Sequence, residues 1–127
     1  KKIIFIASLL LFHLLTLAQV DFSETPYSAP KNALNLKDFI GKKEVIMKVG
    51  QVFYFQCKGK YAMGDDEEAE KTLKQLPTHV YLHKDEPIET RTETSTLQWK
   101  AIKKGKAMVF VRLGEDEKEH RFHIVVK

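Results

Sequence analysis

Apolar and polar residues alternate on both sides of a glycine in residues 97–111. Leu97, Trp99 and Ala101 share one face of an extended chain, because successive side chains of a strand point to opposite sides. Gly105 follows among three lysines and can adopt the positive φ that a tight turn requires. The pattern predicts two antiparallel strands joined by that turn, with Trp99 as a buried anchor of the core.

Five further segments show strand-like alternation, and short polar or glycine-containing stretches separate them. In one of them, Phe53, Phe55 and Cys57 point the same way and are expected to be buried. In another, Ile88 is followed by alternating threonine and glutamate, which favours an exposed edge strand. The five segments are residues 44–49, 52–58, 78–84, 88–96 and 120–127.

Residues 65–76 carry the pattern of a helix rather than of a strand. Asp65 can cap the first turn together with Glu68, three residues later. Glutamates precede lysines at the i,i+4 spacing that stabilises helices, and Pro77 closes the segment. We expect a short amphipathic helix lying on the strands; a solvated acidic loop is the alternative. The strand spacing with one short inserted helix predicts a mainly β fold, an immunoglobulin-like antiparallel β-sandwich over residues 34–127.

The first 33 residues read as two further segments. Two lysines precede an apolar run that ends in small residues at Ala18, which is the pattern of a secretory signal peptide over residues 1–18. The run is too short for a comfortable membrane span, so we expect a secreted or periplasmic protein without a span after cleavage. Residues 19–33 contain Pro26 and Pro30 and predict an N-terminal arm or linker, which could also add an edge strand.

Composition narrows the possible partners. The chain has 127 residues and a formal charge of +4, which falls to +2 without the two lysines of the signal peptide. Acids and bases are interspersed, and no basic face with interleaved aromatic residues indicates nucleic-acid binding.

Cys57 is the only cysteine, so an intrachain disulfide is impossible and the core must supply the stability. We expect Cys57 to be a small buried apolar residue rather than a catalytic thiol.

The residues offer little for catalysis or metal binding. His79 and His83 share a strand face, but a zinc site would need further ligands such as His120 or His123. The acidic clusters at residues 65–68 and 115–117 lack the spacing and central glycine of an EF-hand. No phosphate-binding glycine loop or ordered Ser, His and Asp set occurs. We therefore expect a non-enzyme without cofactor or metal.

The candidate binding site is a loop expected after residues 52–58. It offers an aromatic ring and a flexible thioether between two glycines, which suits recognition of another molecule. The alternative is that Tyr61 and Met63 only seat the following helix. The candidate residues are Lys60, Tyr61, Ala62, Met63 and Gly64.

Two pieces of the chain resemble a known family. Residues 45–55 are similar to the strand, Val-Gly-Gln, strand opening of the chagasin-type inhibitors of cysteine peptidases. Residues 99–111 and 122–126 look like the later strands of that family, in a pattern shared with bacterial immunoglobulin-like domains. The resemblance implies a sandwich that blocks papain-like active sites with three loops. In place of that family's Asn-Pro-Thr-Thr-Gly and Arg-Pro-Trp loop runs, this chain has residues 58–64 and 114–119.

Three functions follow as hypotheses. The first is a secreted or periplasmic, non-catalytic binding module that recognises a protein or a surface glycan through its end loops or an edge strand. The second, implied by the resemblance, is a chagasin-like inhibitor of papain-type cysteine peptidases. The third is a small hydrolase or metal carrier, which metal analysis of the purified protein would distinguish from the other two.

Overall fold

The computed structural model describes residues 20–114 and 118–127. Within these ranges, nine strands form two sheets that face each other across one apolar core. The first sheet has the order β1-β6-β7-β4-β2, and the second has the order β3-β9-β8-β5. The strands are β1 (Val20–Ser23), β2 (Leu34–Asn35), β3 (Val45–Met47), β4 (Val52–Lys58), β5 (Tyr61–Asp65), β6 (Leu73–Leu82), β7 (Glu93–Ala101), β8 (Gly105–Leu113) and β9 (Glu119–Val126).

Alternating side chains from both sheets fill the core, as the sequence pattern predicts. Trp99 of β7 is buried and stacks on Phe53 of β4, with ring centroids 5.2 Å apart. Phe55 contacts Phe122 of β9 across the two sheets, with centroids 5.9 Å apart. The predicted mainly β, immunoglobulin-like sandwich with one short inserted helix is confirmed.

The pairing is mixed rather than wholly antiparallel. The six longer strands pair antiparallel, but β1 with β6, β2 with β4 and β3 with β9 pair parallel. The three parallel partners are short strands of two to four residues from the first half of the chain. A 3-10 helix, Leu36–Phe39, carries the chain from β2 in the first sheet toward β3 in the second.

The prediction of a helix over residues 65–76 is mostly wrong. Only α1 (Ala69–Thr72) is helical, and β6 begins directly at Leu73. The Asp66 carboxylate, rather than that of Asp65, accepts a hydrogen bond from the Ala69 N–H, at 3.0 Å. Pairing with β7 draws the rest of the segment, including Pro77, into a strand that shifts register between Leu76 and His79.

The predicted hairpin over residues 97–111 is also wrong in its pairing. Both strands exist, but β7 pairs with β4 and β6 in the first sheet, whereas β8 pairs with β5 and β9 in the second. The connection at residues 102–104 therefore crosses between the sheets. The faces were predicted correctly, since Trp99 and Val109 are both buried. They point at the core from opposite layers.

The prediction of an exposed edge strand over residues 88–96 is also wrong. Residues 83–92 form the connection between β6 and β7, and the strand begins only at Glu93. β7 lies in the interior of the first sheet, between β6 and β4. The polar side chains of Ser95 and Thr96 are buried there rather than exposed at an edge.

The N-terminal arm packs on the first sheet. β1 forms an edge strand, which the sequence offered as an alternative to a free arm or linker. The residues between β1 and β2, here called the strap (24–33), cross the outer face of the sheet. The Tyr27 hydroxyl donates a hydrogen bond to Gln98 Oε1 at 2.8 Å. Its ring lies 5.2 Å from that of Tyr54 and 5.5 Å from that of His79.

Two predicted features lie outside the described residues. The signal peptide over residues 1–18 and the acidic cluster 115–117 both fall there. Across residues 20–114 and 118–127, no helix is long and apolar enough to cross a membrane.

Candidate functional site

Three connections between strands meet at one end of the sandwich, here called the loop end. They are the β4–β5 turn at residues 59–60, the β6–β7 loop at residues 83–92 and the β8–β9 connection, of which the structure describes Gly114 and Lys118. The Gly59 N–H donates to the Glu93 carbonyl at 3.4 Å, and the Gly114 N–H donates to the Lys60 carbonyl at 3.0 Å. These main-chain bonds hold all three connections side by side.

The β6–β7 loop is braced by its own side chains. The Glu86 carboxylate accepts hydrogen bonds from the Thr92 N–H at 2.8 Å and from the Thr92 hydroxyl at 3.1 Å. The Arg91 guanidinium donates to the Glu86 carbonyl at 3.2 Å. The Thr92 backbone and side-chain donors lower the pKa of Glu86, so the carboxylate stays ionised and keeps these bonds well below neutral pH. The loop therefore has internal hydrogen bonds in the free protein.

The tip of this loop presents an apolar side chain to solvent. Ile88 is 84% exposed, more than any other large apolar side chain of the described residues. The Thr90 N–H donates to the Pro87 carbonyl at 3.1 Å, which closes a turn around Ile88. Loops of this kind often carry the binding residues of a protein, so Ile88 is a candidate contact residue. The alternation in residues 88–96 places Ile88 at the start of a strand and so does not predict its exposure, although the preceding Pro87 marks a turn.

A depression of about 430 Å³ lies beside the three connections. Three lysines line it, and the side chain of Cys57 forms part of its wall. Burial raises the pKa of the Cys57 thiol to about 11, and the nearby Lys37 offsets only part of that effect. The thiol is thus protonated at neutral pH and a poor nucleophile. The lining residues are Lys37, Gln56, Cys57, Lys58, Lys60, Thr94, Leu113 and Gly114.

The predicted binding loop is mostly a strand. Lys60 lies in the β4–β5 turn, but Tyr61, Ala62, Met63 and Gly64 belong to β5, the edge strand of the second sheet. Pairing with β8 keeps them extended, and Tyr61 and Met63 are half-buried against the core. Only Lys60 of the five therefore stands at the loop end, and their role in binding stays a prediction.

The histidines considered for a metal site lie on different parts of the two sheets. His79 contacts the strap, His83 hydrogen-bonds to Thr94 at 2.8 Å, and His120 and His123 are in β9. Across the described residues, no three histidine, cysteine, aspartate or glutamate side chains are arranged to hold a metal ion. The geometry of the loop end suits contact with another molecule.

Comparison with known proteins gives a likeness of fold. No family model and no curated protein sequence matches the chain. Among solved structures, it is similar to the solution structure of amebosin, with a TM-score of 0.55, and to the cysteine protease inhibitor EhICP2 from Entamoeba histolytica, with a TM-score of 0.50. Each comparison covers 78% of this chain and 100% of the other, at 10% sequence identity. At that identity the likeness establishes the sandwich fold alone.

Proposed function

We propose that the protein binds and inhibits papain-type cysteine peptidases through its loop end, and that it catalyses no reaction itself. The observation that carries the proposal is the meeting of three connections at one end of the sandwich, held by main-chain hydrogen bonds. The fold shared with EhICP2 supports it, as does the resemblance of residues 45–55, 99–111 and 122–126 to strands of the chagasin-type inhibitors. The protein would act in the periplasm or after secretion, as the signal-like first 18 residues predict.

The structure suggests how such a loop end could fill an active-site cleft. Ile88 is exposed at the tip of the β6–β7 loop, and the internal bonds of that loop limit the conformational entropy lost on binding. Gly59, Lys60 and Gly114 lie at the same end of the sandwich and could contact the walls of a cleft. Such a contact would keep substrate away from the catalytic thiolate of the peptidase, and the inhibitor itself would not react.

The test is a titration of papain with the protein, followed by the hydrolysis of a fluorogenic peptide. We expect inhibition to saturate, and the substitution Ile88→Glu to weaken it at least about tenfold, equivalent to about 1.4 kcal/mol. Ile46→Glu is the matched control, because Ile46 is exposed in β3, away from the loop end. Full papain activity at micromolar protein would exclude inhibition of this peptidase class.

A second candidate is binding of a protein partner other than a peptidase by the same loops. It is favoured by the two-residue β4–β5 turn, which is much shorter than the inhibitory run that the family carries at this place. A partner recovered from the culture medium by the wild-type protein and lost with Ile88→Glu, together with uninhibited papain, would select this function. The glycan alternative stays a prediction, because nothing in the described residues tests it.

A further inference from the structure

The two sheets do not end together on the side of β1 and β5. β5 is the edge strand of the second sheet, and β1 is the edge strand of the first. The Gln75 side chain of β6 donates a hydrogen bond to the Met63 sulfur of β5 at 3.5 Å, so β5 lies over β6. β1 pairs with the other side of β6 and therefore projects one strand beyond the second sheet. We call the space beside β5 and over β1 the open edge.

The inner face of β1 is exposed at the open edge. Val20 pairs with Thr78 of β6, and Phe22 pairs with Val80. Paired residues point to the same face of a sheet, and this face is the inner one, since Val80 pairs in turn with the buried Ser95 of β7. Thr78 and Val80 are buried, but Phe22 is 65% exposed and Val20 is 40% exposed. Among the described residues, no strand of the second sheet covers them.

The outer edge of β5 has unpaired main-chain groups. In an antiparallel pair, residues that bond to the partner strand alternate with residues whose N–H and carbonyl point away. The Gly114 N–H donates to the Lys60 carbonyl at 3.0 Å, and the Asp66 N–H donates to the Met108 carbonyl at 3.1 Å. These bonds fix the even-numbered residues of β5 as those that bond to β8. The odd-numbered residues direct their groups outward, and they are Tyr61, Met63 and Asp65.

Acidic side chains lie at one end of the open edge. Asp65 is the last residue of β5, and Asp66 follows it directly. Burial raises the pKa of the Asp65 carboxyl, and the charges of Glu70 and Asp66 raise it further. Across residues 20–114 and 118–127, none of the three forms an ion pair. A basic side chain placed beside Asp65 would therefore be attracted to this end.

We propose that the open edge binds an extended segment of another polypeptide, which pairs antiparallel with β5 and lies over β1. The residues of this segment opposite Tyr61, Met63 and Asp65 would exchange main-chain hydrogen bonds with β5 and point their side chains toward β1. Apolar residues opposite Tyr61 and Met63 would cover Phe22, and lysine or arginine would suit the position opposite Asp65. The proposal does not depend on peptidase inhibition.

A second copy of this chain does not suit the same place. If two copies paired through β5 about a twofold axis, their second sheets would become continuous. The first sheets would then collide, because β1 of each copy projects into the space that β6 of the other copy needs. A single added strand avoids this collision.

The test uses a fluorescent peptide as the probe, Lys-Thr-Ile-Thr-Val-Thr with blocked ends. Its lysine, isoleucine and valine are designed to lie opposite Asp65, Met63 and Tyr61. We expect saturable binding by fluorescence anisotropy, and several-fold weaker binding when glutamate replaces the lysine of the probe. Amide hydrogen exchange should slow at Met63, whose N–H faces the open edge, but not at Ala62, whose N–H already bonds to β8.

Two matched comparisons test the pairing and the contact with β1. N-methylation of the isoleucine of the probe removes an N–H directed at β5 and should weaken binding at least about tenfold, whereas methylation of the next threonine should change it less than about threefold. Phe22→Ser should weaken binding several-fold. Ile46→Ser is the control, because Ile46 is a similarly exposed apolar residue in β3, the opposite edge of the second sheet.

Circular dichroism first establishes that both variants keep the fold. Equal effects of the two methylations, or of Phe22→Ser and Ile46→Ser, would overturn the proposal. So would the absence of binding at about 1 mM probe, which corresponds to an affinity too weak for recognition. A dimer in sedimentation equilibrium that excludes the probe would overturn it as well, because a second copy would then be the occupant.

Discussion

Gly64 shows how one residue can be misread when only its neighbours in sequence are known. Its position between Met63 and Asp65 suggests the end of a flexible loop. In the structure Gly64 lies in β5 directly opposite Phe110 of β8, and the Phe110 ring occupies the space that a side chain at residue 64 would need. A glycine in a strand often marks such a close approach, which the alternation pattern cannot reveal.

The Gly64→Ala variant tests this packing. A methyl group there would overlap the Phe110 ring, so we expect a loss of about 1–3 kcal/mol in the free energy of unfolding, measured by urea denaturation. In a Phe110→Ala background the same change should cost much less, because the two residues are coupled. An equal loss of unfolding free energy in both backgrounds would show that the Phe110 ring does not cover Gly64.

Core residues could be predicted from the sequence, whereas exposed binding residues could not. Trp99 and Cys57 each lie between polar neighbours, and Phe53 shares a strand face with Cys57. The alternation therefore assigns all three to the core, and all three are buried. Ile88 carries no such signal, since a single isoleucine in a polar stretch is equally consistent with a strand or with a loop tip. Its exposure depends on the fold around it.

At the scale of elements, sheet pairing overrides local helix preference in residues 65–76. The i,i+4 pairs that favoured a helix contribute only about 0.2–0.5 kcal/mol each. Burying Leu73 in β6, opposite Ala101 of β7, contributes about 1.5–3 kcal/mol. Only the four residues of α1 remain helical. The helix ends at Thr72 because the Thr72 carbonyl accepts a hydrogen bond from the Ile102 N–H, in the turn that follows Ala101. Tertiary contacts of this kind are not visible in sequence.

The strap contributes to the stability of the fold through Tyr27, whose ring packs against Tyr54 and His79. Gln98 links it to the sheet, since its side chain accepts from the Tyr27 hydroxyl and donates to the Pro77 carbonyl at 2.8 Å. We expect Tyr27→Phe to lower the free energy of unfolding by about 1 kcal/mol through the lost hydrogen bond. Tyr27→Ala should cost about 2–4 kcal/mol, because the ring contacts are lost as well.

Urea denaturation measures both changes. Thr25→Ala serves as a control within the same strap, because the exposed Thr25 hydroxyl hydrogen-bonds to the nearby Ser23 hydroxyl at 3.0 Å. If Tyr27→Ala were no more costly than Thr25→Ala, residues 24–33 would be a passive linker, as the sequence allowed. The sequence could not decide this point, because an arm rich in proline and small polar residues has the same composition whether it is docked or free.

For the whole molecule, alternation predicts which side chains face the core but not which sheet a strand joins. Leu97, Trp99, Val109 and Val111 are buried in either arrangement, whether residues 97–111 form a hairpin or cross between the layers. Sheet membership depends on partners distant in sequence, such as β4 for β7 and β9 for β8. The prediction of the candidate site has the same limit, because it is the pairing of distant strands that brings residues 59–60, residues 83–92 and Gly114 to one end of the sandwich.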